Sequence, residues 1–269
     1  MDKKTIIGVS VFFAVVIAIM FALIPVELKN QKYEKWGKLA EAAETNSMAQ
    51  FIIENEELYT EDIIDLYYGN NDNLEFVYNY AFHKDDYDTM TFTDEELNSE
   101  KIPVLYMDDP RWGYEYIYDT TIFENGCSAV AFTMANLYLN HNNNIDPVIF
   151  MEVAKALDAI AFPEGVMVMK MSEIADIFDL NAEGVDCTVD KKTGFVEHED
   201  LISVIDDKEA VLLIAVSSDV FGSHMLLVRD YSDDGYYIND PANPEHSATV
   251  WPFEDIEKDI RYYWKVTKK

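Results

Sequence analysis

The sequence predicts an α+β fold, and three observations predict it. Helical patterns fill the chain from about residue 28 to residue 178, apolar strand-like runs take over from Val211, and the two kinds of segment do not alternate. Helices first and strands later build a helical half and an antiparallel sheet half, not a βαβ array. The 269 residues are 49% hydrophobic and 26% charged, so a packed core is expected and general disorder is not.

The first element is a membrane anchor over 1–27. Lys3 and Lys4 precede an uncharged run from Thr5 to Val26, and its 22 residues are enough for a helix to span a bilayer. Basic residues stay on the cytoplasmic side, so everything after Glu27 is expected outside the cytoplasm, in a single-pass cell-membrane protein. A cleaved signal peptide is the rival and would leave the protein secreted. Its apolar stretch is usually shorter and ends in a small-x-small site, which Phe21-Ala22-Leu23-Ile24-Pro25-Val26 does not provide.

Residues 28–100 read as a helical, polar lead-in. A charged stretch starts at Lys32 and runs through Leu39, Ala40 and Ala43. A helix follows from Thr60 to Tyr68, with Thr60 as N-cap, Glu61 and Asp62 in the first turn, and Gly69-Asn70-Asn71 as the stop. Leu74, Val77 and Tyr78 have helical spacing. The acidic stretch Lys84–Glu100 reads as a linker.

The third segment, 101–269, carries the chemistry. Asn125-Gly126 is a turn signal, and Cys127–Leu139 follows as a mostly apolar helix. Asp146-Pro147 opens another helix through Ala159, with proline at its first position, and Met171–Phe178 is a short third helix. Val211–Val216 is a buried strand. His224–Tyr231 and Gly235–Asp240 flank Ser232-Asp233-Asp234 as a hairpin, and Ala248–Trp251 and Arg261–Val266 are further strands.

Charge excludes one class of partner. With 51 acidic against 20 basic residues, the formal net charge of −31 repels phosphate backbones, so nucleic acid is not an expected partner. Two cysteines make no disulfide scaffold and show no zinc spacing, and no metal or cofactor is implied. One bridge between Cys127 and Cys187 stays open on sequence alone.

Cys127 begins a helix, where the backbone N–H groups and the helix dipole stabilise a thiolate, the nucleophilic form. Cys187 has no such setting and reads as structural. His224 opens an apolar strand behind Gly222, where an imidazole can face a cleft. Asp240 ends the next strand, so the hairpin sets it beside His224, where a carboxylate can orient the imidazole. Same-face placement requires an even offset or a bulge. The other histidines, His83, His141, His198 and His246, stand in polar surroundings and read as exposed.

These residues resemble a known family. Leu105-Tyr106-Met107-Asp108-Asp109-Pro110-Arg111-Trp112-Gly113, then Asn125-Gly126-Cys127, Gly222-Ser223-His224 and Asn239-Asp240-Pro241, are similar to the bacterial peptidase family C-thirty-nine-like proteins. These are papain-like relatives of the peptidases that cut double-glycine leaders from bacteriocin precursors. The resemblance runs from about Tyr59 to Trp264 and includes Asn73-Leu74-Glu75-Phe76-Val77, Tyr80 and Trp251. It implies a papain-like cysteine-peptidase fold acting on a peptide or protein substrate, with Cys127 as nucleophile, His224 as base and Asp240 as the orienting residue.

Two departures bear on activity. The family usually has a glutamine where Met107 stands, and its amide donates to the oxyanion; methionine has no donor. The chain's only glutamines, Gln31 and Gln50, lie far upstream. The family also continues Gly-Cys-Gly-Pro-Thr, where this chain has Gly126-Cys127-Ser128-Ala129-Val130. Three functions follow as alternatives: a surface-tethered thiol hydrolase on peptide or amide bonds, a binding domain that kept the fold without catalysis, and an amidase or transferase using the same triad.

Overall fold

The computed structural model describes residues 34–89, 92–161, 165–187 and 196–269. The run Thr5–Val26 expected to anchor the chain lies outside them. Among the described residues no helix is long and apolar enough to cross a membrane. The chain divides into two compact units between Phe82 and His83.

The first unit is helical: α1 over 34–43, α2 Ser47–Glu54, α3 Glu61–Gly69 and α4 from Leu74 to His83. Thr60 caps α3 by accepting from Ile63 N, as the sequence predicts, and Asn46 caps α2 by accepting from Met48 N and Ala49 N. The caps satisfy orphan N–H groups while Leu39, Ile52, Ile63, Ile64 and Val77 are fully buried.

In the second unit, part of the segment read as an acidic linker forms a short helix. Thr93 and Glu96 form a reciprocal capping box at the start of α5, Asp94–Asn98, and Phe92 is buried. The Arg111 guanidinium grips both Glu96 and Asp109, which neutralises part of the acidic run. A small ladder, β1 Tyr116–Ile117 with β2 Thr120–Thr121, leads into α6 Ile122–Asn125.

Helix α7, Cys127–Asn140, is buried on nearly every face, which explains its continuous apolar character. His141 in the left-handed conformation closes it. Asp146 caps α8, Pro147–Ala156, through Val148 N and Ile149 N. This helix stops three residues short of the predicted Ala159, because Asp158 turns left-handed and ends the ladder. A second small ladder, β3 Ile160–Ala161 with β4 Gly165–Val166, precedes α9 Met171–Ile177.

The remainder builds one antiparallel sheet. Its strands are β5 Leu180–Asp186, β6 Ala210–Ser218, β7 Gly222–Ser232, β8 Gly235–Asn239, β9 Val250–Trp251 and β10 Ile260–Lys268, in the spatial order β5-β10-β6-β7-β8-β9. Helices α10 His198–Asp206, α11 Pro244–Ala248 and α12 Phe253–Glu257 join them. One sheet face packs Val211, Leu213, Met225 and Leu227 against the helices led by α7, and the other packs Leu212, Ile214, Leu226 and Val228 with α10 and α12. Burial on both faces is why Val211–Val216 reads as an unbroken apolar run. A fully buried Leu213 or Leu227 contributes about 1.5–3 kcal/mol relative to exposure. The β7–β8 hairpin turns on Asp233-Asp234, with Ser232 paired to Gly235. Gly235 has φ of 140°, and an added Cβ there would lie 1.9 Å from the Trp251 carbonyl oxygen. The architecture is α+β, as the sequence predicts.

Candidate active site

Cys127 is the first residue of α7, and the chain makes room for it at Gly126. A Cβ on Gly126 would sit 2.4 Å from the Ile122 carbonyl oxygen, which accepts the Gly126 N–H at 2.8 Å to close α6. Without that close approach α7 could not begin immediately after α6. The Cys127 thiol is half-buried in the floor of a cleft of 380 Å³, whose lining includes Met107, Ser128, Val216, His224 and Met225. Larger hollows of 960 and 540 Å³ elsewhere on the second unit hold no cysteine.

His224 lies on β7, after the three-residue turn Asp219–Phe221 that pairs Ser218 with Gly222, and Gly222 supplies its left-handed φ of 65°. Asp240 follows the last residue of β8. The pairs Leu227–Asn239 and Val228–Ile238, carried one step on, set Asp240 level with Leu226, two residues from His224. The offset is even, so the two side chains share a face as diagonal neighbours, about 7–8 Å apart along the strands and within reach of long side chains. The bulge in this ladder lies further along, between Val228 and Asp230.

The result is a continuous chain of hydrogen bonds. His224 Nε2 is 2.7 Å from Asp240 Oδ1, and the two side chains are 10% and 3% exposed. His224 also bonds the Cys127 thiol. With Nε2 taken by Asp240, Nδ1 is the ring nitrogen that faces the sulfur. Backbone N–H groups of Met225 and Ser128 donate to the sulfur as well.

The electrostatics follow from these contacts. Burial alone would raise the Cys127 thiol, but the His224 bond and charge and the two backbone donors outweigh it and hold the thiol below its usual value. Burial alone would lower His224; its bonds to Asp240 and Cys127 instead push it up to about 10. Burial disfavours the Asp240 carboxylate, yet the His224 bond and charge, the Ala242 N–H and His246 hold it below the ordinary range. The geometry therefore favours a thiolate–imidazolium pair backed by a carboxylate. Cys187 goes the other way: burial, then the Asp186 charge, push its thiol up to about 11. Both cysteines are free, so the bridge left open by the sequence is not formed.

Met107 reaches the same cleft and is 6% exposed. Its N–H donates to the Pro241 carbonyl at 2.7 Å, which ties it to the strand end that carries Asp240. Its thioether brings no donor to the cleft. The hydroxyl of Ser128, next to Cys127, is buried without a partner among the described residues.

The reading of four exposed histidines holds for His141 alone. His83 bonds Asp86, and His198 bonds Glu257. His246 bonds Asp240 itself, with Nδ1 2.8 Å from Oδ2. Its sequence signal was Asn243-Pro244, a capped helix start that delivers the next turn back onto Asp240.

No protein-family model matches the chain, and no curated protein matches it. Among solved structures, the peptidase domain of Streptococcus ComA, a bifunctional ABC transporter of a quorum-sensing pathway, is 13% identical and has a TM-score of 0.37. The match covers 54% of this chain and 93% of that one. A double-glycine-motif protease from an AMS/PCAT transporter, solved with a leader peptide, is 16% identical and has a TM-score of 0.39. That match covers 64% of this chain and 96% of that one.

Proposed function

We propose that this chain is a membrane-anchored, extracytoplasmic thiol hydrolase that cuts peptide or amide bonds. The observation that carries the reading is the hydrogen-bonded series Cys127–His224–Asp240 at the floor of an open cleft. The Cys127 thiolate attacks the acyl carbon and forms a C–S bond. His224 gives its Nδ1 proton to the leaving amine as the C–N bond breaks. It then takes a proton from the water that attacks the thioester, the C–S bond breaks, the acid leaves and the thiolate–imidazolium pair is restored. Asp240 holds the ring and stabilises its charge throughout.

Selective alkylation tests this reading without knowledge of the substrate. Near neutral pH, iodoacetamide is expected to modify Cys127 and to spare Cys187, because one thiol is held below its usual value and the other is raised to about 11. Mass spectrometry of each cysteine peptide across pH is the measurement. Equal and slow modification of both thiols would remove the nucleophile from the proposal.

Met107 favours a second reading, a binding domain in the same fold. A methionine in the cleft makes it more apolar and leaves the oxyanion with one donor fewer. Reactive Cys127 with no hydrolysis of any peptide or ester would support that reading.

The anchor rests on Lys3, Lys4 and the run Thr5–Val26. N-terminal sequencing of membrane-extracted protein is expected to find the run still attached. A mature start near Glu27 would make the protein secreted.

A further inference from the structure

The Asp240 carboxylate has two oxygens, and each meets an imidazole. Oδ1 lies 2.7 Å from His224 Nε2 and also accepts the Ala242 N–H at 2.8 Å. Oδ2 lies 2.8 Å from His246 Nδ1. The carboxyl side chain is only 3% exposed, so water cannot easily replace either partner.

His246 is itself held firmly. Asn243 caps the start of α11 by accepting from Glu245 N and His246 N. Ser247 Oγ accepts the Asp240 N–H at 2.9 Å, which ties the helix to the residue it serves. The imidazole stands edge-on to Phe221 and to Trp251, each with ring centroids 5.2 Å away, and Trp251 Nε1 donates to the His246 carbonyl. Arg229 Nη2 donates to the Ser247 carbonyl on the same helix. The charged groups that face the imidazole are thus Asp240 and, beyond it, His224 and Cys127. Phe221 and Trp251 bring none.

We infer that His246 is a positioning residue that makes the triad a tetrad: by donating from Nδ1 to Oδ2, it fixes the plane of the Asp240 carboxylate so that Oδ1 stays aimed at His224. The inference rests on the proposed thiol chemistry. A carboxylate gripped at one oxygen can swing about its last torsion, which is broad; gripped at both, it cannot. An ionised carboxylate only accepts, so Nδ1 of His246 carries the proton in this bond.

Removing the donor leaves Oδ2 buried and unpaired. The carboxylate then turns or protonates, His224 loses support for its positive charge, and Cys127 loses thiolate. The test is alkylation of Cys127 by iodoacetamide against pH in the full chain, a readout that needs no substrate. His246→Ala is expected to slow modification near neutral pH by about 10–100-fold, the range for a hydrogen bond to a charged group. Its pH profile should shift upward. His246→Asn, whose amide N–H stands near the place of Nδ1, is expected to recover most of the rate. A His246→Ala profile that superimposes on wild type would overturn the inference. Should His246→Ala fail to fold, nitrogen NMR of the wild-type imidazoles decides: the Nδ1–H tautomer at His246 is expected, and the Nε2–H tautomer overturns the assignment. Absence of peptide hydrolysis in wild type, with these alkylation profiles intact, would count against the hydrolase reading alone.

Discussion

Met107→Gln is expected to raise turnover by up to about 10²–10³-fold, the span that one oxyanion donor commands. The tetrahedral intermediate places negative charge on the former carbonyl oxygen, and donors already aimed at that point stabilise it. The backbone N–H of Cys127, at the start of α7, can supply one such bond. A second donor corresponds to about 2.7–4 kcal/mol of transition-state stabilisation. Met107 stands in the right cleft, and its own backbone is fixed by the Pro241 carbonyl, so a glutamine side chain would enter on a rigid support. The assay is hydrolysis of a panel of activated esters and peptide amides. A gain confined to kcat would mark an interaction made in the transition state. Robust wild-type hydrolysis that falls in Met107→Gln would sink the idea and point to another donor.

Cys127→Ala is expected to bring hydrolysis to the buffer rate, in the wild-type background and in the Met107→Gln background alike. In a measured serine enzyme, loss of the nucleophile costs about 2 × 10⁶ in kcat, and groups of one catalytic unit are far from additive. The glutamine gain should therefore vanish entirely, not shrink in proportion. A pH signature accompanies it. The folded pKa of His224 is raised, so its contribution to stability is full below the ordinary histidine value of about 6.5 and is lost as pH rises through the folded value of about 10. Without the Cys127 sulfur, Asp240 alone holds up the imidazolium. The alkaline loss of stability should be smaller and complete at lower pH in the variant, as thermal melts across pH would register. Melting curves that match wild type at every pH would argue against the thiolate–imidazolium pair.

The grouping of Cys127, His224 and Asp240 was legible because each of them sits where local rules are strong. Asn125-Gly126 before an apolar helix marks a thiol at a helix start, and the Ser232–Gly235 turn fixes which strand ends meet. His246 was missed because α11 is five residues long and its imidazole is drawn inward only by Asp240, Phe221 and Trp251, contacts that no periodicity announces. Strand β5 was missed for a related reason. Leu180–Asp186 alternates only over its first four residues and is largely exposed beyond them, too short a pattern to read, and it is a strand because β10 pairs with it along its full length. The acidic segment before residue 101 looked like linker by charge alone. A capping box and the Arg111 clamp hold its residues 93–98, and the clamp joins residues fifteen apart.

The place of β10 bears on how the protein is made. It follows every other strand in chain order, yet it lies between β5 and β6, paired with both. A ribosome releasing the chain from its N-terminus delivers β5, β6 and the whole β7–β8 hairpin before the strand that joins β5 to the rest. Until residues 260–268 emerge, β6 presents an open apolar edge and β5 has no partner in the sheet. Closure of the sheet therefore waits for β10 and is expected to be slow, since its central pairings close long loops. Helix α7 with Cys127 would be in hand early and the sheet that steadies His224 last, so that thiol reactivity would arrive only once β10 has paired.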